Sequence, residues 1–230
     1  MHEISLSRRR PALLTASIAA LALGLSGCWG GSSSSSSGSS TLTGTFVDSA
    51  VAGLDYEGER PRAGVTDDQG QFSYRRNETL HFSIGELALG SATGAEIITP
   101  LSITEGADSA EDPRVVNRLI LLQTLDADGD LNNGIQLTEA IREEVSRHAA
   151  DIDFDQPSAD FSASLAPLLA ALESAGAFTD TDPRARRVTQ AEDALEHFLR
   201  STGERVVVET THGALRGFAA DANTWQFLGI

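Results

Sequence analysis

The sequence predicts an α+β protein: a small N-terminal β-sandwich-like module over residues 42–104, a helical segment over 105–203, and a β-hairpin within 204–230. Three observations carry this. Between Leu42 and Leu101, apolar and polar residues alternate in short runs separated by Gly-, Asp- and Asn-containing turns, the period of half-buried strands. From Asp112 to Gly203, apolar residues recur at three- and four-residue intervals, the period of helices packed on one face. After Arg205, β-branched and aromatic residues alternate again.

What precedes the module is not fold but address. Arg8, Arg9 and Arg10 are followed by an apolar, small-residue run from Ala12 to Leu25. That run is shorter than the roughly 20 residues a membrane-spanning helix needs. A basic stretch followed by a short apolar one is the layout of a secretory signal. The basic n-region fits general export; Ser7-Arg8-Arg9 also leaves twin-Arg export open. The run ends Leu25-Ser26-Gly27-Cys28, and Cys28 is the one cysteine of the chain, so no internal disulfide is possible. These residues resemble the bacterial lipobox. The resemblance implies cleavage between Gly27 and Cys28, diacylation of Cys28, and a lipid anchor as the membrane partner. Each buried methylene of such an anchor adds about 0.8 kcal/mol of membrane affinity. Trp29, rather than Asp, after Cys28 resembles outer-membrane lipoproteins. The expected regions are thus a signal over 1–27 and a lipidated tether over 28–41. Residues 30–40 are almost only Gly and Ser, which bury no apolar surface and stay a coil reaching roughly 20 Å.

About 190 residues remain for folded structure, enough for one domain or two small ones. The net charge is −16, and every basic residue is Arg. An acidic surface repels nucleic acid, so no nucleic-acid partner is expected.

Within the module, Thr43–Asp48 and Val51–Tyr56 read as strands. Gly64-Val65-Thr66 leads through the turn Asp67-Asp68-Gln69-Gly70 into Gln71–Tyr74, with Phe72 and Tyr74 on one face. Leu80, Phe82 and Ile84 form the inward face of the next strand. Asp initiates the turn and Gly supplies a positive φ. The run Thr66-Asp-x-x-Gly-x-Phe-x-Tyr74 resembles transthyretin-like, carboxypeptidase-regulatory-like β-sandwiches. That resemblance implies a spacer or adhesive unit without catalysis. The strand 82–90 and Thr99-Pro100-Leu101 also resemble a block recurring in bacterial surface lipoproteins.

Asp112-Pro113 marks a helix start, with Asp capping and Pro at the first helical position. Val115, Val116, Leu119, Ile120, Leu122 and Leu125 give its apolar face, and the helix ends near Leu125. The following loop carries Asp126, Asp128, Asp130 and Asn132, alternate oxygen ligands that suit Ca²⁺. Gly129 and Leu137 depart from the EF-hand pattern, which wants Gly at the sixth position and a bidentate carboxylate at the twelfth. A polar helix-ending turn is the competing reading. Further helices are expected over 138–150, with Ile141 and Val145 inward, over 158–175, and from Asp182-Pro183 to Gly203. His148 and His197 read as exposed residues on polar helix faces, without metal-ligand spacing between them.

In the last stretch, Val206–Thr210, His212–Phe218 and Trp225–Ile230 read as strands. Val208, Thr210, Gly213, Leu215, Gly217, Phe227, Gly229 and Ile230 resemble in order and spacing the opening hairpin of type B carboxylesterases, which have the α/β-hydrolase fold. The resemblance implies that a hydrolase domain begins here and continues past Ile230, so that an ester substrate would be met only by that continuation. Gly-x-Ser-x-Gly, the strained elbow that exposes a serine nucleophile, does not occur in the chain, and Ser201 near Gly203 lacks its context. No catalytic residue is assigned. Two functions stay open: the anchored front of an exported carboxylesterase, or a non-enzymatic surface lipoprotein whose β module binds a partner or calcium.

Overall fold

Alternation becomes strand in the first half of the folded chain: β1 (Thr41–Phe46), β2 (Val51–Ala52), β3 (Asp55–Gly58), β4 (Arg62–Val65), β5 (Gln71–Arg75), β6 (Thr79–Ile84), β7 (Leu87–Thr93) and β8 (Ile97–Ile98). The computed structural model describes residues 41–59, 62–179, 186–203, 206–210, 213–221 and 224–227. The signal, Gly27, Cys28 and the Gly/Ser tether lie outside them.

One sheet has the order β5-β1-β8 and a second the order β4-β3-β6-β7. β1 runs antiparallel to β5, with Thr43 opposite Ser73, and parallel to β8. The second sheet is antiparallel throughout. Strand period two sends alternate side chains to one face, and the inward aromatics of the two sheets meet. Phe46 lies 5.0 Å from Phe82, Phe72 lies 5.4 Å from Phe82, and Tyr56 lies 5.9 Å from Phe72. Leu80, Phe82 and Ile84 are buried as their alternation requires. The turn before β5 forms as its residues dictate. Asp67 Oδ1 accepts from the Gln69 and Gln71 amides at 3.0 and 2.8 Å, and Gly70 takes φ +70°.

The single strand expected over Val51–Tyr56 is instead two short ones. Gly53 has φ +82°, and a Cβ there would lie 2.0 Å from the Leu137 carbonyl oxygen. The chain turns at this point and β2 leaves to pair in parallel with β9 (Ile135–Gln136). Thr66 staples the break: its hydroxyl donates to the Val51 carbonyl at 2.6 Å and accepts from the Leu54 amide at 2.9 Å.

α1 (Pro113–Thr124) begins where Asp112 caps it, Oδ1 accepting from the Arg114 amide at 2.9 Å, and ends at Leu125. Nine of its twelve residues are buried, so it is an interior helix and not a surface one. α2 (Glu139–His148) is capped by Thr138 and buries Ile141 and Val145. The expected helix over 158–175 is two, α3 (Ser158–Ser164) and α4 (Ala166–Ala175), meeting at Leu165. Pro167 stands in the first turn of α4, where it has no N–H to continue the ladder from α3. α4 ends on Gly176 in the left-handed conformation.

α5 (Ala191–Ser201) starts later than expected. Asp182 and Pro183 lie outside the described residues, and 186–190 are not helical. Tertiary bonds hold that segment out of the helix: the Thr189 amide donates to Thr124 Oγ1 at 3.0 Å, and Arg186 Nη2 donates to the Ala127 carbonyl at 3.1 Å. The last strands, β10 (Val206–Thr210), β11 (Gly213–Asp221) and β12 (Thr224–Phe227), form an antiparallel three-stranded sheet.

Blocks of sheet and helix along one chain make this a mixed α+β protein. One continuous hydrophobic cluster runs from Phe46 and Phe82 through α1 to Phe161 and Phe198. The boundary near residue 104 therefore separates kinds of secondary structure that share a core. Among the described residues, no helix is long and apolar enough to cross a membrane.

Candidate functional site

Two polar constructions border α1, one at its C-terminal end and one along its side. The first is the Asp-rich loop. Asp126 is fully buried; its Oδ1 accepts from the Gln136 amide at 2.9 Å, and the neighbouring Ala127 amide donates to the Gln136 carbonyl at 3.0 Å. Asp126 thus ties the loop's two ends together. Burial pushes its carboxyl up to about 6, and the Asp128 charge beside it adds to that. Asp128 accepts from the Asp130 amide and from Asn133 Nδ2, both at 2.9 Å, and these bonds hold it below the usual carboxylate range. Asp130 Oδ1 accepts from the Asn132 amide at 3.2 Å and from Asn132 Nδ2 at 2.8 Å, capping the 3₁₀ turn Leu131–Asn133. Gly129 has φ +74°, and the Arg186 guanidinium lies over it.

The four sequence candidates are therefore neighbours, and the three carboxylates among them accept mainly from the loop's own N–H groups. Among the described residues, no group of three or more His, Cys, Asp or Glu side chains is arranged to hold a metal ion.

The second construction joins residues far apart in sequence. The tight turn after β1 pairs Val47 with Ala50. Asp48 points inward from it and is fully buried. Gln123 Nε2, on α1, lies 3.1 and 3.2 Å from the two Asp48 carboxyl oxygens and 3.0 Å from the Ala194 carbonyl of α5. Burial pushes the Asp48 carboxyl up to about 8, and the Gln123 hydrogen bond offsets only part of that. A buried acid with no cationic partner keeps its proton because the charged form loses hydration that nothing replaces.

Beside it, Ser49 holds φ +62°, an uncommon conformation for a residue with a side chain. Its Oγ lies 3.0 Å from the Leu131 carbonyl, 2.8 Å from His197 Nε2 and 3.4 Å from Ser201 Oγ. Ser201 Oγ lies 3.2 Å from His197 Nε2 and donates to the His197 carbonyl at 2.9 Å. Burial holds the His197 ring below its ordinary value, and the Arg200 charge acts in the same direction.

His197 is half-buried, not exposed, because the turn at Ser49 folds over it. His148 is half-buried too, 3.6 Å from Glu144 and 3.8 Å from Asp151. Asp48 and Gln123 were not among the sequence candidates, although each carried a signal. Asp48 continues the inward alternation of Gly44 and Phe46, and Gln123 follows Leu119 and Ile120 on the buried stripe of α1.

Serine, histidine and aspartate meet here without the connectivity of a hydrolase triad. The Asp48 carboxyl binds Gln123 rather than the imidazole, and both serine hydroxyls have backbone carbonyls to donate to. The cluster fastens α5 to the β1 turn. Comparison of the chain with models of protein families, with curated proteins and with solved structures gives no match in any of the three.

Proposed function

We propose that this chain is the membrane-anchored front of an exported type B carboxylesterase. Lipid on Cys28 holds it to the cell envelope, the Gly/Ser stretch is a tether, and the body built on β1 to α5 is a β-sandwich-like and helical spacer. The observation that supports this best is the register of the last sheet. Val208 pairs with Leu215, Thr210 with Gly213, and Gly217 with Phe227. Six of the eight positions that carry the carboxylesterase resemblance thus lie opposite one another in antiparallel pairs, the first pair of strands being the hairpin that the resemblance implies; Gly229 and Ile230 lie outside the described residues. The aromatic contacts between the first two sheets favour the sandwich-like reading of the spacer.

On this reading the nucleophile, base and oxyanion donors belong to a hydrolase domain continuing from β12, and the 230 residues present the enzyme without performing its chemistry. The test compares p-nitrophenyl ester turnover by the 230-residue chain with turnover by the gene product extended past Ile230. Turnover only by the extended product is expected. Turnover by the short chain, or none by either, contradicts the proposal.

A further inference from the structure

The β1 turn, α1 and α5 converge on one buried carboxyl group, and the way they do so makes the position of α5 depend on a proton. Among the described residues, Asp48 has a single side-chain donor, the Gln123 amide, and that amide is shared with the Ala194 carbonyl of α5. Gln123 Oε1 is buried in the same junction without a hydrogen-bond partner. The groups facing the junction are few. From the turn come Asp48 itself and Ser49. From α1 come Gln123 and Thr124, both uncharged. From α5 come the Ala194 carbonyl and His197, with Arg200 beside the imidazole. Among the described residues, no cation contacts the carboxyl, and the one interaction that opposes its desolvation is the Gln123 amide.

An ionised Asp48 needs water, and water can reach it only by displacing one wall. β1 is paired on both sides and α1 is buried over nine residues. α5 buries fully only Ala194 and Phe198, and the rest of its apolar stripe is half-buried. It is the wall whose removal exposes least.

We propose that the Asp48–Gln123–Ala194 junction is a proton-dependent latch: with Asp48 protonated, α5 is held against the β1 turn and α1, and ionisation of Asp48 releases it. Burial raises the closed state's affinity for its proton, its carboxyl pushed up to about 8, so opening grows as pH rises toward that value and levels above it. His197 gives a second, opposite sensitivity. Burial and the Arg200 charge hold its ring below its ordinary value, while a hydrogen bond to the Asp48 backbone on the same turn opposes them. The inference does not depend on the carboxylesterase reading.

Linkage sets the size of the effect. Where the open state ionises freely and the closed state stays protonated, each pH unit multiplies the open population about tenfold. The experiment is backbone hydrogen exchange on the chain, read by peptide mass spectrometry and corrected for the intrinsic pH dependence of exchange. Peptides covering Ala191–Ser201 are expected to lose protection about tenfold per pH unit between pH 6 and 7.5, levelling above pH 8, and to stay less protected than α1 and β6 throughout. Asp48→Asn is expected to flatten that slope. A flat slope for α5 in the unsubstituted chain overturns the latch by itself, whatever becomes of the variant. Protection of α5 equal to that of α1 and β6 at every pH overturns it as well, because α5 would then open only by global unfolding. A slope that persists in folded Asp48→Asn assigns the titration to another group and rejects the proposal.

Discussion

Arg142 on α2 forks onto Asp55 on β3, Nη2 meeting Oδ1 at 2.5 Å and Nε meeting Oδ2 at 3.1 Å. Asp55 Oδ2 also accepts from the Gly85 amide at 2.8 Å, so one carboxylate binds a helix and the β6–β7 turn together. Two-point guanidinium–carboxylate contact is the stronger kind of surface ion pair. Asp55→Ala is expected to destabilise the fold by about 1–3 kcal/mol, because it strands the Arg142 fork and the Gly85 amide. A double-mutant cycle with Arg142→Ala, read by urea unfolding, should give a coupling energy above about 0.5 kcal/mol. Additive effects would show that the pair contributes nothing.

Stability should fall as pH rises through neutrality. The folded carboxyls of Asp48, at about 8, and Asp126, at about 6, both sit above the ordinary value of 3.8. Stability from such groups is fully present below pH 4 and is lost as pH rises toward each folded value. His197, held low, acts oppositely and only in the window just below its ordinary 6.5. Asp48 alone accounts for a loss of at most on the order of 5 kcal/mol by pH 8. Asp48→Asn should flatten this profile and be the more stable protein at pH 8. Urea midpoints at pH 5, 6.5 and 8 check this; a profile of the unsubstituted protein that rises with pH would refute it.

Gly53→Ala is expected to be severely destabilising, by about 3 kcal/mol or more. A left-handed φ and backbone overlap with the Leu137 carbonyl act together at this position. Gly176→Ala, also at positive φ but with open space around it, should cost only about 1 kcal/mol. Thermal melts of the two variants separate steric overlap from backbone strain, and equal shifts would contradict the geometry.

The sequence and the structure agree where the determinants are local. Asp112-Pro113 starts α1, Thr138 caps α2, Asp67 and Gly70 close the β5 turn, and Leu80, Phe82 and Ile84 face inward. They part where distant groups decide. The break at Gly53 depends on Leu137, and the non-helical run before α5 depends on Thr124 and Ala127. The burial of His197 depends on Ser49. The junction around Asp48 is the extreme case, since its three elements meet only in the folded chain. The division of 158–175 at Leu165 is different: Pro167 is a local signal, and the apolar stripe of Phe161, Leu165, Leu168 and Leu172 runs across it without a break.

The Asp-rich loop gives a prediction about calcium. With Asp126, Asp128 and Asp130 already accepting from loop amides, millimolar Ca²⁺ is expected to leave Tm unchanged. Ligand binding to the folded state alone raises stability by RT ln(1 + [L]/Kd), so a site with Kd of about 10 μM would add about 2.7 kcal/mol at 1 mM. A shift of several degrees, abolished by Asp128→Asn, would restore the cation reading of this loop.

The central claim is that the chain reaches the envelope and is held there by lipid on Cys28, and one measurement addresses it directly. Mass spectrometry of the N-terminal peptide from protein purified out of its native membranes should show residues 1–27 removed and a thioether-linked diacylglycerol on Cys28. A peptide still carrying those residues, or beginning at Cys28 with an unmodified sulfur, would contradict the account.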